Sequence, residues 1–499
     1  MSVALLLEMA ASADADRIGV VDGAHRLTVG ELSGLADGAA GVIAASGAAS
    51  VAYVGVGGLM LPLTIFGSAR AARPFTPLNY RLSAEALAEL IGRLPDPLVI
   101  FDAEYRDVVA GLGKAGIESE EFIAAARNAD PVAEFPDPDE VAIVLFTSGT
   151  TSRPKAVELT HNNLTSYVTG TVEFASAEPG DAALICVPPY HIAGVSAALS
   201  NLYAGRTMVY LTKFDPAEWI RLVRDHAVTS ATVVPTMLDR IVTELEKRPV
   251  ALPSLRTLAY GGSKVALPLV RKALELLPDV GFVNAYGLTE TSSTIAVLTP
   301  DDHRVAHQAA DESVARRLGS VGRPVPGIEV QIRGEDGTPL QAGEFGELYV
   351  RGEQVSGKYA EIGSVLDENG WFPTKDLAAL DGEGYLFITG RSDDTIIRGG
   401  ENIAPAEIED VLVEHDLVHD VVVVGVEDAE WGQKIVAVVV PVEGADPDPE
   451  ELRAHVRSSL RGSRTPDHVV FRGELPTTAT GKVLRRTLVD ELQNEPKNP

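Results

Sequence analysis

A segment rich in small hydroxyl residues follows an apolar run in the first third of the chain. The run Val141–Phe146 has the composition of a buried strand. Backbone N–H and side-chain O–H groups after it can donate to phosphate oxygens, and glycine lets the backbone come close. A Walker A motif is excluded, because Pro154 precedes the lysine of the segment and Ala156 follows it. The predicted phosphate-binding residues are Thr147, Ser148, Gly149, Thr150, Thr151 and Lys155.

Alternating strand and helix patterns surround this loop up to about Gly319. Short β-branched runs alternate with alanine- and leucine-rich segments of helical period, which is typical of parallel sheets covered by helices. From Gly319 onward, strands separated by glycine-rich turns predict a smaller β-rich unit. The predicted strands are Leu98–Phe101, Val141–Phe146, Ala183–Val187, Thr207–Leu211, Ala231–Val234 and Thr257–Tyr260, and the predicted helices are Pro216–Asp225 and Leu267–Leu277.

The pattern changes again after Arg391, where a compact tail with both helices and strands is predicted. The order in this tail is helix, strand, strand, helix. We therefore predict an N-terminal domain of residues 1–391 and a C-terminal domain of residues 392–499. The four predicted elements of the tail are Ala406–Glu414, Asp420–Val426, Gln433–Val440 and Pro449–Arg461.

Charge and cysteine content exclude several classes of protein. The 499 residues include 42 Lys and Arg against 71 Asp and Glu, and the net charge of −29 would repel nucleic acid. The single cysteine, Cys186, cannot form an internal disulfide, which favours a reducing, cytoplasmic location. The uncharged stretch Gly38–Ala69 is long enough for a bilayer, but its glycines and Pro62 favour a buried strand, turn and helix. The N-terminal run Val3–Leu7 lacks a basic flank and is predicted to begin a helix, not a signal peptide.

Further motifs occur in order along the chain, and together with the phosphate loop they resemble the adenylate-forming superfamily. That superfamily contains acyl-CoA synthetases, adenylation domains of peptide synthetases and beetle luciferases. The chain is most similar to CoA ligases of fatty acids or other carboxylic acids. The resemblance implies an α/β fold: a large N-terminal domain of stacked α/β sheets plus a small β unit, then a small mobile α+β C-terminal domain. The motifs lie at residues 73–80, 147–155, 188–194, 260–263, 284–290, 374–377, 390–394 and 476–482.

The resemblance implies a two-step reaction with ATP and CoA. A carboxylate attacks the α-phosphorus to give acyl-AMP and pyrophosphate, and a thiol then displaces AMP. Cations and N–H groups must stabilise the charge that spreads in the first step. Lys482 is expected to reach the carboxylate and the α-phosphate, Thr289 to donate to that phosphate, and His191 to act beside them. Glu290, with Thr150, is expected to hold Mg²⁺, which prefers oxygen ligands.

The same resemblance assigns the nucleotide and acid sites. Asp376 would accept from the ribose hydroxyls with help from Arg391, and Tyr286 would stack on adenine. The acid would enter a pocket of mostly small and apolar residues, which favours aliphatic, alicyclic or aryl carboxylates over amino acids. The expected nucleotide site also includes Gly261, Gly262, Asn284 and Gly287, and the expected acyl pocket consists of His191, Val195, Tyr260, Ser263, Ala285 and Ser292.

The acceptor thiol is predicted from the loop after the domain boundary. Gly399 and Gly400 would let a pantetheine arm pass close to the backbone, and Asp393 would be the hinge about which the small domain rotates. The form of this loop favours CoA, but an acyl-AMP ligase that loads a carrier protein stays open. A catalytically silent adenylate-binding paralogue and a luciferase are further alternatives. The identity of the acid and the oligomeric state are also open.

Two positions depart from the usual pattern of the superfamily. Lys375 stands before Asp376, and Ala156 follows the lysine of the phosphate loop, where glycine is usual at both places. The stretch between Tyr359 and Trp371 is also short. None of these differences removes an expected catalytic residue, but Lys375 adds a charge near the expected phosphate site.

One pair of histidines has the spacing of metal ligands. His303 and His307 are four residues apart, which would place both on one face of a helix. No third ligand is evident in the sequence, and a structural zinc site needs four. The pair is therefore predicted to be solvated.

Overall fold

The computed structural model describes residues 1–23, 25–111, 116–147, 153–399, 401–428, 431–460, 462–478 and 481–494. Within these residues, the chain up to Arg391 forms a nine-stranded, an eight-stranded and a four-stranded sheet. A hairpin, a three-stranded sheet and helices follow. The predicted α/β fold class, with two large sheets, a β unit and a small α+β part, is confirmed.

The nine-stranded sheet has a parallel centre. The antiparallel strand Ser293–Leu298 turns back beside Gly281–Leu288 at one side. The central strands are short apolar runs, because elements cover both faces of a parallel sheet. In order across the sheet, the strands are Arg323–Pro324, Ser293–Leu298, Gly281–Leu288, Thr257–Gly261, Ser230–Val233, Ala182–Ile185, Thr207–Tyr210, Ile18–Val21 and Arg26–Thr28.

The eight-stranded sheet contains the hairpin that flanks the predicted phosphate loop. Val141–Thr147 pairs antiparallel with Lys155–Thr160, and Thr147 stands opposite Lys155 at the last pair. The predicted loop residues Ser148, Gly149, Thr150 and Thr151 lie outside the described residues. In order across the sheet, the strands are Gly363–Ser364, Lys358–Tyr359, Lys155–Thr160, Val141–Thr147, Phe75–Leu78, Ser50–Val54, Pro97–Phe101 and Gly116–Glu118.

Helices between the two large sheets form the largest core. Met60–Arg70 is buried along its whole length and packs against Val29–Ser46 and Ile192–Ala204. The uncharged stretch Gly38–Ala69 therefore runs through two helices and the buried strand between them. In the part of the chain that the structure describes, no helix is long and apolar enough to cross a membrane. The α-helices are Ala4–Ala13, Val29–Ser46, Met60–Arg70, Ala84–Gly92, Arg106–Ala110, Ser119–Ala126, His161–Thr171, Ile192–Ala204, Pro216–Asp225, Pro235–Lys247, Leu267–Leu276, Pro300–Gln308, Glu312–Ala315, Pro405–Leu412, Pro449–Ser459 and Arg485–Asn494.

Local sequence sets the ends of these helices. Thr28 accepts a hydrogen bond from the backbone N–H of Glu31, and the Glu31 carboxylate accepts one from the backbone of Thr28, which starts Val29–Ser46. Gly205, at φ 93°, ends Ile192–Ala204 in a left-handed conformation that glycine adopts without a steric penalty. The single-turn 3-10 helices are Ala103–Tyr105, Thr289–Thr291, Arg316–Gly319, Ser392–Asp394 and Gly462–Arg464.

The four-stranded sheet is the β unit expected after Gly319. It is antiparallel throughout, and Phe372–Leu380 lies at its centre between two other strands. Leu348, Val350 and Leu386 are buried in its own apolar cluster. In order across the sheet, the strands are Glu329–Arg333, Gly346–Arg351, Phe372–Leu380 and Leu386–Arg391.

The C-terminal part has a separate apolar core, which includes Ile408, Leu412 and Val423. The predicted order of helix, strand, strand, helix is present, and a third strand and a final helix extend it. The domain boundary at 391/392 stays a prediction. The strands of this part are the hairpin Ile396–Arg398 and Glu401–Ile403, and the sheet Val418–Asp428, Gly432–Pro441 and His468–Phe471.

Candidate active site

The strand Gly281–Leu288 ends in a tight reversal that carries Thr289 and Glu290. These two residues begin a single turn of 3-10 helix. Ser292 and Ser293, which follow the turn Thr289–Thr291, have φ of 56° and 118°, a region that L side chains rarely adopt. Strained backbone of this kind is concentrated at functional sites, because the surrounding structure must hold it in place.

Close backbone approach explains two of the predicted glycines, and a left-handed conformation explains a third. A Cβ atom on Gly287 would lie 1.8 Å from the carbonyl oxygen of Ser293, and one on Gly261 would lie 2.1 Å from that of Ala285. Gly262 has φ 89°. Side chains at these positions would displace the backbone at the carboxyl ends of the central strands. The roles of these glycines in nucleotide binding remain predictions.

Asp376, on the strand Phe372–Leu380 of the four-stranded sheet, lies in a polar cluster with Tyr286 of the nine-stranded sheet. Its side chain is buried (5% exposed), Oδ1 is 3.2 Å from Arg391 Nη1, and Oδ2 accepts a hydrogen bond from the hydroxyl of Tyr286. Its backbone N–H donates to Thr374 Oγ1 at 3.1 Å. Burial raises the pKa of the Asp376 carboxyl, and Arg391 opposes that rise. Burial, together with the Asp376 charge, raises the pKa of Tyr286 well above its ordinary value.

The residue before Asp376 shows why glycine is usual there. Lys375 has φ 66°, in the left-handed region. Its Nζ lies 3.5 Å from Glu347 Oε1, so the side chain is directed along the neighbouring strand. The positive charge that Lys375 adds near the expected phosphate site is therefore paired with Glu347. The backbone of Lys375 is strained, because it adopts a positive φ without being glycine.

Tyr359, which was not predicted in the site, contacts both Glu290 and Lys155 of the strand that follows the phosphate loop. The hydroxyl of Tyr359 donates to Glu290 Oε1 at 2.8 Å, and the Tyr359 ring centroid lies 5.4 Å from Lys155 Nζ. The backbone N–H of Ser356 donates to the Glu290 carbonyl at 2.9 Å. The short stretch after Tyr359 was the one signal in the sequence, and it did not indicate which residue reaches the site.

Lys482 lies on a tight turn near the C-terminus. The backbone N–H of Thr478 donates to the Lys482 carbonyl at 2.8 Å, and the Lys482 N–H donates to Thr478 Oγ1 at 3.1 Å. Gly481 precedes the lysine with φ 73°, and a Cβ atom there would come within 2.6 Å of Thr236 Oγ1. Thr236 lies in the first turn of Pro235–Lys247, so the turn of Lys482 packs against the N-terminal part of the protein.

The ammonium of Lys482 interacts electrostatically with the charged side chains of the Asp376 cluster. Burial lowers its pKa, and the positive charge of Arg391 lowers it further. Asp394, Asp376 and Glu290 act in the opposite direction. A lysine from the far end of the chain therefore shares one electrostatic environment with the two carboxylates that were predicted to bind ribose and metal.

One ion pair and one contact between a histidine and a carboxylate also join the C-terminal part to the N-terminal part. Lys264 Nζ lies 2.6 Å from Asp410 Oδ1. His419 Nε2 lies 3.9 Å from Asp239 Oδ2. These contacts and the packing of Gly481 against Thr236 stabilise the arrangement of the two parts in which Lys482 lies near Asp376 and Glu290.

Two buried polar atoms near the predicted acyl pocket have no hydrogen-bond partner among the described residues. They are His191 Nε2 and Ser292 Oγ. Burial, and to a lesser extent the charge of Arg81, lowers the pKa of His191 to about 4. The imidazole is therefore neutral at pH 7, and a bound molecule could supply the missing partner.

Two predicted site residues on the nine-stranded sheet have hydrogen-bond partners that were not predicted. The Tyr260 hydroxyl is 2.8 Å from His303 Nε2, and the Asn284 amide donates to the Ser320 carbonyl at 3.2 Å. Tyr260 and Asn284 stand opposite each other on adjacent strands, so their side chains share one face of the sheet with Tyr286. Tyr260 was predicted in the acyl pocket and Asn284 in the nucleotide site. His303 is fully buried, so the prediction of a solvated pair is wrong for that residue.

Val195, which was predicted in the acyl pocket, is a residue of the largest apolar core. It is fully buried in the core between the sheets. Ala193 and Ala197 are partly exposed on the other side of the same helix. Residues two apart in a helix point in nearly opposite directions, whereas residues four apart share a face. The face toward the nine-stranded sheet is therefore formed by the alanines.

The remaining predicted residues lie outside this cluster or outside the described residues. Asp393 is exposed in the turn Ser392–Asp394. Gly399 has φ 59°, and its N–H donates to the Trp431 carbonyl at 2.8 Å. Gly400 is not among the described residues. Ser263 follows the glycine pair and is partly exposed.

A magnesium ion bound with ATP would find one suitable protein carboxylate. The described residues contain no group of three or more His, Cys, Asp and Glu side chains that could hold a metal ion by themselves. Magnesium in nucleotide sites typically takes one or two carboxylates and completes its shell with phosphate oxygens and water. Glu290, with one oxygen bonded to Tyr359, fits that arrangement, whereas Thr150 lies outside the described residues.

The chain is similar in sequence to known protein families and to characterised enzymes. Residues 7–360 match the AMP-binding enzyme family, and residues 407–482 match the C-terminal domain of AMP-binding enzymes. The chain is 34% identical over 444 residues to a feruloyl-CoA synthase of Amycolatopsis sp, and the match covers 87% of each protein. It is 32% identical over 455 residues to the fatty acid–[acyl-carrier-protein] ligase ScoC of Streptomyces coeruleorubidus, which covers 88% of this chain and 86% of that protein.

A solved structure shows the same similarity in three dimensions. The crystal structure of ATP-bound MatB from Rhodopseudomonas palustris superposes with a TM-score of 0.88 over 99% of both chains, at 26% sequence identity. The family resemblance inferred from the motifs, and the assignment of the protein as an enzyme, are both confirmed. The chain belongs to the AMP-binding enzyme family, the adenylate-forming superfamily of carboxylic acid ligases.

Proposed function

We propose that the protein is an ATP-dependent acyl-CoA synthetase, which converts a carboxylic acid to acyl-AMP and then to acyl-CoA. The observation that carries the proposal is the position of Lys482, whose charge acts on both Asp376 and Glu290. Lys482 is far from both carboxylates in the sequence and close enough in space to interact with their charges. Its ammonium can bind an anionic group of a substrate at this site. The relatives described above, which join acids to CoA or to a carrier protein, support the same class of reaction.

In the first step, the acid attacks the α-phosphorus and the bond to pyrophosphate breaks. Negative charge then spreads over the phosphate oxygens, and preorganised donors lower the barrier. Lys482 neutralises the acid carboxylate and the α-phosphate, and Thr289 donates to that phosphate. Asp376 accepts from the ribose hydroxyls, and the charge of Arg391 favours its ionised form. Glu290 and Thr150 would hold Mg²⁺, which would neutralise phosphate charge when bound.

His191 and Ser292 are proposed to receive the reacting end of the acid. Both have a buried polar atom that lacks a partner in the described part of the chain. A neutral imidazole can donate one hydrogen bond to a carboxylate oxygen without forming a competing ion pair. The two groups would thereby orient the acid toward the α-phosphorus.

In the second step, the thiol attacks the acyl carbonyl carbon and AMP leaves. We propose that residues 392–499 rotate about Asp393, which withdraws Lys482 and brings the loop of Gly399 and Gly400 to the acyl-adenylate. Gly399 already adopts φ 59°, so a side chain there would be strained. CoA is the proposed acceptor, and an acyl carrier protein is the alternative, as in the ScoC relative.

Mass spectrometry of acyl-AMP and acyl-CoA tests the proposal. Purified protein would receive ATP, Mg²⁺, CoA and a panel of aliphatic, alicyclic and aryl acids, with Lys482→Ala in parallel. Acyl-CoA that depends on Lys482 is the expected product. Acyl-AMP without acyl-CoA would instead favour a carrier protein as the acceptor. Absence of both products, with no ATP–pyrophosphate exchange for any acid, would favour a silent adenylate-binding paralogue.

A further inference from the structure

One face of the nine-stranded sheet is partly exposed next to the candidate site, on the strands Thr257–Gly261 and Ser230–Val233. Along Thr257–Gly261, every second residue from Thr257 is partly exposed, and Leu258 and Tyr260 between them are buried. Ser230–Val233 repeats the alternation. Central strands of a covered parallel sheet are normally buried on both faces. This face therefore borders open space, which its small side chains leave unfilled.

A cavity of about 170 Å³ occupies that space, between the sheet and the helix Ile192–Ala204. Ala259 lines it toward the carboxyl ends of the strands. From Ala259, two residues of strand, roughly 7 Å, lead to Gly261 at the candidate site. The cavity therefore lies in line with Gly261 and runs beneath the helix Ile192–Ala204.

The other end of the cavity is polar. Asn201 and Arg206 line it, together with the hydroxyl-bearing Ser230 and Thr257. Arg206 immediately precedes the strand Thr207–Tyr210, and parallel strands begin at the edge remote from the catalytic one. Asn201 lies nine residues into the helix that starts beside His191, a distance of roughly 13 Å.

The guanidinium of Arg206 has unused hydrogen-bonding capacity at this end. Its Nη1 lies 3.3 Å from Asn201 Oδ1, and this is the one hydrogen bond of the side chain with the described residues. Asp181, whose charge acts on Arg206, is paired with Arg256 instead. A guanidinium has five N–H donors in a planar fork that matches a carboxylate. Among the described residues, no carboxylate is in hydrogen-bond contact with this half-buried guanidinium.

We propose that the cavity is the inner part of the acyl pocket, where Arg206 and Asn201 bind a second carboxylate at the far end of the acid. The preferred substrate is therefore an extended dicarboxylic acid whose two carboxyl groups are on the order of 10 Å apart. The proposal rests on the acid-activating function proposed above. A methyl-ended acid of equal length would cover the guanidinium without pairing it, which weakens binding.

Isothermal titration calorimetry with acyl-adenylate mimics tests the proposal without catalysis. Pairs of acyl-sulfamoyl adenosines of matched chain length would end either in a carboxylate or in a methyl group. In the unmodified protein, the carboxylate-ended mimic of the best length should bind at least about 10-fold more tightly, which corresponds to about 1.4 kcal/mol. Arg206→Met should remove this preference and leave binding of the methyl-ended mimic in place. Arg271→Met, which changes an exposed arginine outside the cavity lining, should retain the preference.

The outcomes separate this inference from the proposed function. Equal binding of both mimics, or a preference that survives Arg206→Met, would overturn the dicarboxylate proposal and leave the acid-activating function standing. Failure of every mimic to bind would overturn the proposed function and this inference with it. The comparison of the two mimics in the unmodified protein decides the question even if Arg206→Met fails to fold.

Discussion

The phenolic hydroxyl of Tyr359 donates a 2.8 Å hydrogen bond to Oε1 of Glu290. Glu290 follows a strand of the nine-stranded sheet, whereas Tyr359 pairs with Val157 in the eight-stranded sheet. The ring of Tyr359 also lies 5.4 Å from Lys155 Nζ. One side chain therefore connects the expected metal carboxylate with the lysine of the expected phosphate loop, across the boundary between the two sheets.

Tyr359→Phe should weaken the orientation of the Glu290 carboxylate and keep the ring beside Lys155. A hydrogen bond to a charged group contributes about 1.5–3 kcal/mol, so adenylation should fall by roughly 10-fold or more. We expect the Mg²⁺ concentration for half-maximal ATP–pyrophosphate exchange to rise as well. Tyr349→Phe, in the β unit, is the matched control and should change neither value. An unchanged Mg²⁺ requirement in Tyr359→Phe would contradict the role of this hydrogen bond.

Lys482→Ala should abolish the first step and spare the second. Lys482 shares its electrostatic environment with Asp376 and Glu290, and removal of its charge leaves the carboxylate and α-phosphate of the substrates without compensation. We expect pyrophosphate exchange to fall at least about 100-fold, a change of roughly 2.7 kcal/mol in the barrier. Thioester formation from supplied acyl-AMP should stay within a few-fold. Lys213→Ala, at an exposed lysine, is the control. Equal loss in both steps would indicate a structural role.

The buried imidazole of His191 should make stability depend on pH. Its pKa is lowered to about 4 from an ordinary value of 6.5, chiefly by burial. Below pH 6.5 the unfolded chain takes up a proton that the folded protein refuses until about pH 4, so stability falls as the pH drops through this window. Between pH 7 and pH 5, the free energy of unfolding should decrease by about 2 kcal/mol more in the unmodified protein than in His191→Gln.

Denaturant unfolding at the two pH values measures this difference. His468→Gln replaces an exposed histidine and serves as the control, with the same pH dependence as the unmodified protein. His161, whose pKa burial also lowers to about 4, should give a second decrease of the same sign when it is compared with its own Gln variant. A His191→Gln protein with the full pH dependence would show that another group is responsible.

Lys375→Gly should stabilise the protein. Lys375 adopts φ 66°, and a non-glycine residue in the left-handed region costs on the order of 1 kcal/mol. Lys375→Ala removes the side chain and keeps the strain, so the difference between the two variants isolates the backbone effect. We expect the Gly variant to be more stable than the Ala variant by about 1 kcal/mol in urea unfolding. Equal stability would mean that the surrounding strands absorb the strain.

The motif order and the alternation of strand and helix patterns determined the family, the fold class and most of the elements. These predictions depend on local sequence: apolar runs form strands, periodic segments form helices, and small polar residues form loops whatever lies around them. The positions of Asp376, Arg391, Glu290 and Lys482 in one cluster were also expected, because each belongs to a recognisable motif.

The tertiary structure alone decided which side chains face the site. Tyr260 and Val195, which were predicted in the acyl pocket, are both buried in the largest apolar core, and the Tyr260 hydroxyl lies 2.8 Å from His303 Nε2. The contact between Tyr359 and Glu290 joins residues that lie 69 positions apart in the chain. The polar end of the cavity likewise brings together Arg206 and Thr257. Such contacts depend on the packing of one sheet and helix against another, and no local pattern in the sequence specifies that packing.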